Sequence, residues 1–131
     1  MGNNNKTILI VDDDPDFLEQ TVFVLQQAGY ETVSAEGEKE AETLLENMHP
    51  DLAIVDLMME NQDSGFVLSY HLKKKYPETP VIIATSVTAE TGIHFDAKTL
   101  AEKEWVQADA VLDKGIRYEQ LLGEIKRLLG A

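Results

Sequence analysis

The sequence contains no cysteine. That absence excludes a disulfide framework, a thiolate metal site and a thiol nucleophile. Uninterrupted apolar stretches are short, and none approaches the length needed to span a bilayer. The start, MGNNNK, lacks the apolar core of a signal peptide. Its Met-Gly opening would suit myristoylation, but Lys6 stands where that signal needs Ser or Thr. Basic side chains are scarce: 11 Lys and Arg face 24 Asp and Glu, a net charge of −13. Phosphate contacts would work against that field, so nucleic acid is an unfavourable partner. No internal repeat, low-complexity tract or linker is visible. A cytoplasmic protein with no membrane partner is the expectation.

What is present fits one globular domain over 1–131, with an apolar fraction of 44% and a flexible start over 1–5. Two periodicities alternate along it. Continuous apolar runs at KTILIVD (6–12), DLAIVD (51–56) and PVIIAT (80–85) read as strands buried on both faces, with shorter strands at ETVSA (31–35) and ADAVLD (108–113). Between them lie helical patterns. The first runs from Pro15 to Ala28, with Leu18, Val22 and Leu25 on one side. Asp14 suits its N-cap, Pro15 its first turn and Gly29 its end. The second, over 38–48, carries Ala41, Leu44, Leu45 and Met48. The third, Ser64 to Tyr76, steps through Val67, Tyr70 or His71, and Lys74 before Pro77 stops it. A closing helix carries Tyr118, Leu121, Leu122, Ile125, Leu128 and Leu129. Five strand–helix alternations predict an α/β doubly wound fold. The stretch 86–107 is long for a loop plus one helix; Asp96 is a candidate cap for a helix carrying Leu100 and Trp105.

In an open parallel sheet, ligands bind beyond the carboxyl ends of the strands. Those ends are Asp12 and Asp13, Asp56, and Thr85, with Lys114 just after the last strand. Clustered carboxylates repel unless something positive offsets them. Asp13 and Asp56, with Asp12 behind, would form a hard oxygen site suited to Mg²⁺. Lys114 adds a point charge for phosphoryl oxygens and Thr85 a hydroxyl donor. One of the carboxylates could then accept a phosphoryl group as an acyl phosphate. Alone, Asp12 and Asp13 read equally well as turn residues. A calcium loop over 12, 14 and 16 fails, because Phe17 holds the required glycine position and Phe23 the bidentate glutamate position.

ILIVDDDP (8–15), DLAIVDLMM (51–59), PVIIATS (80–86) and ADAVLDKG (108–115) resemble, in order, the motifs of response regulator receiver domains of two-component signalling. The resemblance covers residues 6 to 129. It implies a flavodoxin-like (βα)5 three-layer sandwich with a parallel five-stranded sheet in the order 2-1-3-4-5. It implies that Asp56 is the phosphoacceptor, served by a sensor histidine kinase or phosphotransfer protein, and that the switched surface meets a downstream protein. It further implies that Asp13, Asp56 and the backbone carbonyl of Met58 ligate Mg²⁺, that Asp12 acts chiefly through water, and that Thr85 and Lys114 bind the phosphoryl group. Such a domain catalyses only its own phosphorylation and dephosphorylation. With nothing after the closing helix, a stand-alone receiver or a piece of a larger protein is expected.

Several positions depart from the family pattern. Gly115 follows Lys114 where proline, with a cis bond, is usual; a cis bond before a non-proline residue costs about 3 kcal/mol, so a trans peptide and a differently aimed Lys114 are expected. Val111 replaces the usual aromatic of the fifth strand and cannot act as a rotating switch. Glu60 replaces a proline, and the loop to Gly65 is one residue longer. The 86–107 region is extended, which predicts an altered fourth helix of the family and a distinctive partner face. Receivers often dimerise through that face, so a homodimer is among the implied partners. Met58 and Val87 flank the presumed phosphoryl site and are apolar, which predicts slow self-dephosphorylation.

Two other functions compete: a receiver-like scaffold that binds a partner without phosphorylation, and a small aspartate-nucleophile phosphatase. His49, His71 and His94 share no ligand spacing and read as surface residues. Trp105 reads as core packing. The lysines at 73–75 read as a solvated helix end, and EGEKEAETLLE (36–46) as a solvent face.

Overall fold

The computed structural model describes residues 6–57, 59, 64–85, 108–115 and 117–130. Five strands, β1 (Thr7–Val11), β2 (Glu31–Ala35), β3 (Leu52–Asp56), β4 (Val81–Thr85) and β5 (Ala110–Asp113), form one sheet. Among the described residues four helices accompany them: α1 (Pro15–Gln27), α2 (Glu38–Leu45), α3 (Ser64–Lys75) and the closing α4 (Tyr118–Leu129). Every strand pairing is parallel, and the order is β2-β1-β3-β4-β5. This is the expected doubly wound arrangement. The expectations for 1–5, Met58, Glu60, Val87, His94, Asp96, Leu100 and Trp105 fall outside the described residues.

Side chains alternate across the pleat, and that alternation sorts the core into two layers. Leu9, Val11, Ala53, Val55, Val81, Ile83 and Val111 pack with Ala41, Leu45, Leu68 and Leu72 of α2 and α3. Ile8, Ile10, Leu52, Ile54 and Ile82 pack on the other side with Leu18 and Leu25 of α1 and Leu121 and Ile125 of α4. Because β1, β3 and β4 are covered on both faces, they carry no polar alternation.

Caps set the helix ends. Asp14 Oδ1 accepts from the amides of Asp16 and Phe17, at 3.0 and 3.4 Å, and Pro15 opens α1. Gly29 follows with φ of 97°, a left-handed turn for which glycine carries no Cβ penalty. No helix among the described residues is long and apolar enough to cross a membrane.

α3 differs from expectation. Its buried face is Ser64, Gly65, Leu68, Ser69 and Leu72, while Tyr70 is 51% exposed and Lys74 is exposed. Small residues at Ser64, Gly65 and Ser69 let this helix approach the sheet, so only Leu68 and Leu72 give its contact face a bulky apolar signal. Ser69 Oγ donates to the Gly65 carbonyl at 2.7 Å, which satisfies a hydroxyl on that face. The three lysines are not a uniformly solvated end either. Lys73 pairs with Asp109 at 2.7 Å, Lys75 donates to the Leu45 carbonyl at 2.8 Å, and Lys74 lies over the Tyr70 ring. Asp109 Oδ2 also accepts from the Val81 amide at 2.8 Å, tying the start of β5 to β4.

Candidate functional site at the carboxyl edge of the sheet

Register places the acidic tips together. Val11 pairs with Val55, so Asp12 and Asp56 are the next residues on adjacent strands; Asp56 in turn pairs with Ala84. By parity Asp12, Asp56 and Lys114 continue the side of Ile10, Ile54 and Leu112, towards α1 and α4. Carboxylate oxygens of Asp12, Asp13 and Asp56 lie within 4.8 Å of one another. Asp12 and Asp56 are buried, and Asp13 is exposed. Lys114 Nζ stands 2.8 Å from Asp12 Oδ2 and 3.4 Å from Asp56 Oδ1. The expected trans peptide is found, as no described peptide bond is cis. Lys114 nevertheless points into the carboxylate cluster, so the feared misdirection does not occur. Its amide donates to the Thr85 carbonyl at 3.0 Å, while the Gly115 amide donates to Asp113 Oδ1 at 2.7 Å.

Thr85 closes β4 at the same edge and is buried, but it lies one residue beyond the Asp56–Ala84 pair. Its side chain therefore leaves the sheet on the side of Val81 and Ile83, opposite to Asp56. The structure thus gathers Asp12, Asp13, Asp56 and Lys114 into one cluster, with Thr85 beside it on the other parity. Val111 is buried in the α2–α3 layer, packed as a core residue.

The electrostatics follow from burial. Asp56 is pushed up to about 7, first by loss of water, then by the charge of Asp12, with Lys114 opposing both. Burial likewise raises Asp12, against the pull of Lys114 and of the Asp14 amide, which donates to Asp12 Oδ1 at 2.8 Å. Burial of the Lys114 ammonium works to lower it, yet Asp12 and Asp56 together outweigh that and raise it. One cation among three carboxylates leaves an excess of negative charge. Asp12 Oδ2 is buried and, although Lys114 Nζ is near, it receives no well-directed hydrogen bond. A close carboxylate trio that a single ammonium offsets only in part is the donor set that a small hard dication fits.

Two contributors escaped the sequence reading. Phe17, in the first turn of α1, sets its ring centroid 4.9 Å from Lys114 Nζ. Gly65 abuts the strand tip: a Cβ there would fall 2.6 Å from the Asp56 carbonyl oxygen and 2.7 Å from Leu57 Cα. Its amide donates to the Leu57 carbonyl at 2.8 Å. The only sequence signal for either was its distance along the chain from an acidic strand end.

Comparison with known proteins bears on the family and the fold. The family model for the response regulator receiver domain matches residues 8–126. The chain is similar to the phosphate regulon transcriptional regulatory protein PhoB of Pseudomonas aeruginosa, 32% identical over 126 residues, covering 95% of this chain and 52% of that protein. It is also similar to the heme response regulator HssR of Staphylococcus saprophyticus, 33% identical over 126 residues, covering 94% and 51%. The chain thus spans about half the length of these curated relatives. Among solved structures, a CheY-like receiver domain protein from Methanospirillum hungatei superposes with a TM-score of 0.81 at 29% identity, covering 95% of this chain and 94% of that one. The response regulator TrrA of Thermotoga maritima, in complex with Mg²⁺ and BeF, superposes with a TM-score of 0.75 at 29% identity, covering 94% and 98%. The chain belongs to the response regulator receiver domain family.

Proposed function

We propose that the chain acts as one receiver domain in which Asp56 accepts a phosphoryl group from a histidine kinase or phosphotransfer protein, with Asp12, Asp13, Asp56 and the Met58 carbonyl holding Mg²⁺. The observation that carries this reading is the carboxylate trio within 4.8 Å, bridged at Asp12 and Asp56 by Lys114. When bound, the metal would neutralise carboxylate repulsion and stabilise charge on the transferring group. An ionised Asp56 oxygen attacks phosphorus in line. The phosphorus–nitrogen bond of the donor phosphohistidine breaks, its electron pair stays on the imidazole, and an acyl phosphate remains. Lys114 then exchanges its contact with Asp56 for the phosphoryl oxygens, and Thr85 supplies a hydroxyl after its side chain turns towards the group. The domain turns over no separate substrate. The switched surface is read by a downstream protein in the cytoplasm.

The competing scaffold reading draws on Gly115 and on Val111, which packs as a core residue. Beryllofluoride with Mg²⁺ separates the two. An NMR titration should give saturable shifts at Asp56, Lys114 and Thr85 that require both additions. Unchanged spectra would favour the scaffold. Steady release of phosphate from a generic ester would instead favour the phosphatase.

A further inference from the structure

Lys114 is contacted from three sides. Two are the carboxylates of Asp12 and Asp56, at 2.8 and 3.4 Å. The third is the Phe17 ring, whose centroid lies 4.9 Å from the ammonium. The backbone at Lys114 is held by the bond of its amide to the Thr85 carbonyl and by the bond of the Gly115 amide to Asp113 Oδ1, but Gly115 has no side chain to pack against the lysine stem. Phe17, by contrast, is firmly placed. The Asp14 side chain caps the turn that carries it, and the ring borders a narrow apolar cleft with Ile54, Ile82, Leu112 and Leu121. A ring face attracts an ammonium electrostatically, and more strongly where water is scarce.

We propose that Phe17 is a positioning residue for phosphoryl transfer, holding the Lys114 ammonium over the tips of β1 and β3 through a cation–π contact. This deepens the phosphoacceptor reading and rests on it. The two carboxylate contacts change during the reaction, because Asp56 gains the phosphoryl group and Asp12 would be shared with a bound dication. The ring contact has no charge to be neutralised and persists through both states. It therefore keeps the ammonium within reach of the incoming oxygens while its anionic partners are redistributed. In this chain it supplies a restraint that Gly115 does not.

The test compares wild type, Phe17→Leu, which stays apolar but removes the π face, and Phe17→Tyr, which restores it. The first readout needs neither metal nor reaction. In metal-free protein the ε-methylene protons of Lys114 should be shifted upfield by the ring current in wild type and Phe17→Tyr, and lie at the ordinary lysine position in Phe17→Leu. The second is the rate of labelling by acetyl phosphate with saturating Mg²⁺. Phe17→Leu should label about three- to tenfold more slowly at subsaturating donor, with unchanged Mg²⁺ affinity, and Phe17→Tyr should recover the rate. A melting temperature close to wild type in Phe17→Leu would set aside a folding explanation. Should Leu lower both rate and stability, recovery of the rate by Tyr but not by Met at position 17 still supports the role, and equal rates for Tyr and Met overturn it. Wild type and Phe17→Leu labelling at one rate, or a Lys114 resonance indifferent to residue 17, would overturn this inference alone. A wild type that takes no label at all would overturn the reading of the site and this inference together.

Discussion

Replacing Gly65 by alanine should damage the site through the backbone, without touching any charged group. Gly65 lies in the first turn of α3, and an added Cβ would meet the Asp56 carbonyl oxygen at 2.6 Å, Leu57 Cα at 2.7 Å and the Asp56 carbonyl carbon at 3.1 Å. These are backbone atoms of the strand tip, with no flexible side chain to turn aside. Restoring ordinary contact requires α3 or the tip of β3 to move by several tenths of an ångström. Overpacking of this kind costs about 1–3 kcal/mol. Alanine recovers about 0.5–1 kcal/mol of helix propensity over glycine, so the net loss should be about 1–2 kcal/mol. For a chain of this length that is roughly 3–8 °C in melting temperature. Acetyl-phosphate labelling should slow as well, because the displaced atoms carry Asp56. Gly123 is the internal control: it lies within α4 and nothing stands within 4 Å of an added Cβ. Gly123→Ala should therefore stabilise by about 0.5–1 kcal/mol. Urea denaturation of both variants with EDTA, followed by labelling with Mg²⁺, reads the two effects. A Gly65→Ala protein as stable and as reactive as wild type would refute the steric argument.

Metal-free protein should lose stability as pH rises. Asp56 is pushed up to about 7 by burial and by Asp12, so the folded state holds this proton more tightly than the unfolded chain. Stability from that group is greatest below the ordinary carboxylate range and declines until pH passes about 7, by a few kcal/mol at most. Melting temperatures at pH 5.5 and 8 in EDTA should show the decline, Asp56→Asn should flatten it, and Mg²⁺ should stabilise more at pH 8 than at 5.5; greater metal-free stability at pH 8 would contradict this. Asp14→Ala removes the α1 cap and should cost about 1 kcal/mol in urea denaturation. Met58 and Val87 offer no group to orient an attacking water, so phosphorylated protein should be long-lived and Met58→Asn should shorten its lifetime; a lifetime of seconds in both proteins would refute that.

Much of the architecture was legible because the strands are buried on both faces. Their apolar runs stop where the sheet stops, which put Asp12, Asp56 and Thr85 at one edge before any coordinates. The cap at Asp14 and Pro15 was equally plain, since its chemistry is local. The contact face of α3 was not. Gly65 and Ser69 serve it by being small, and smallness leaves no apolar signal, so Val67, Tyr70 and Lys74 misled. Partners of Lys73 and Lys75 lie about thirty residues or more away in sequence, beyond any local pattern. In the sequence Phe17 is legible only as an obstacle to a calcium loop, because its ring meets Lys114 through the fold alone. Thr85 was placed at the right edge, but its opposite parity to Asp56 depended on the β3–β4 register.

The central claim is that the carboxylates, Lys114 and a bound dication act together to phosphorylate Asp56. Intact-mass spectrometry of protein incubated with acetyl phosphate tests it most directly. One phosphoryl group should be added when Mg²⁺ is present, none in EDTA, and none at that site in Asp56→Asn. Equal labelling of Asp56→Asn, or labelling indifferent to Mg²⁺, would contradict the account.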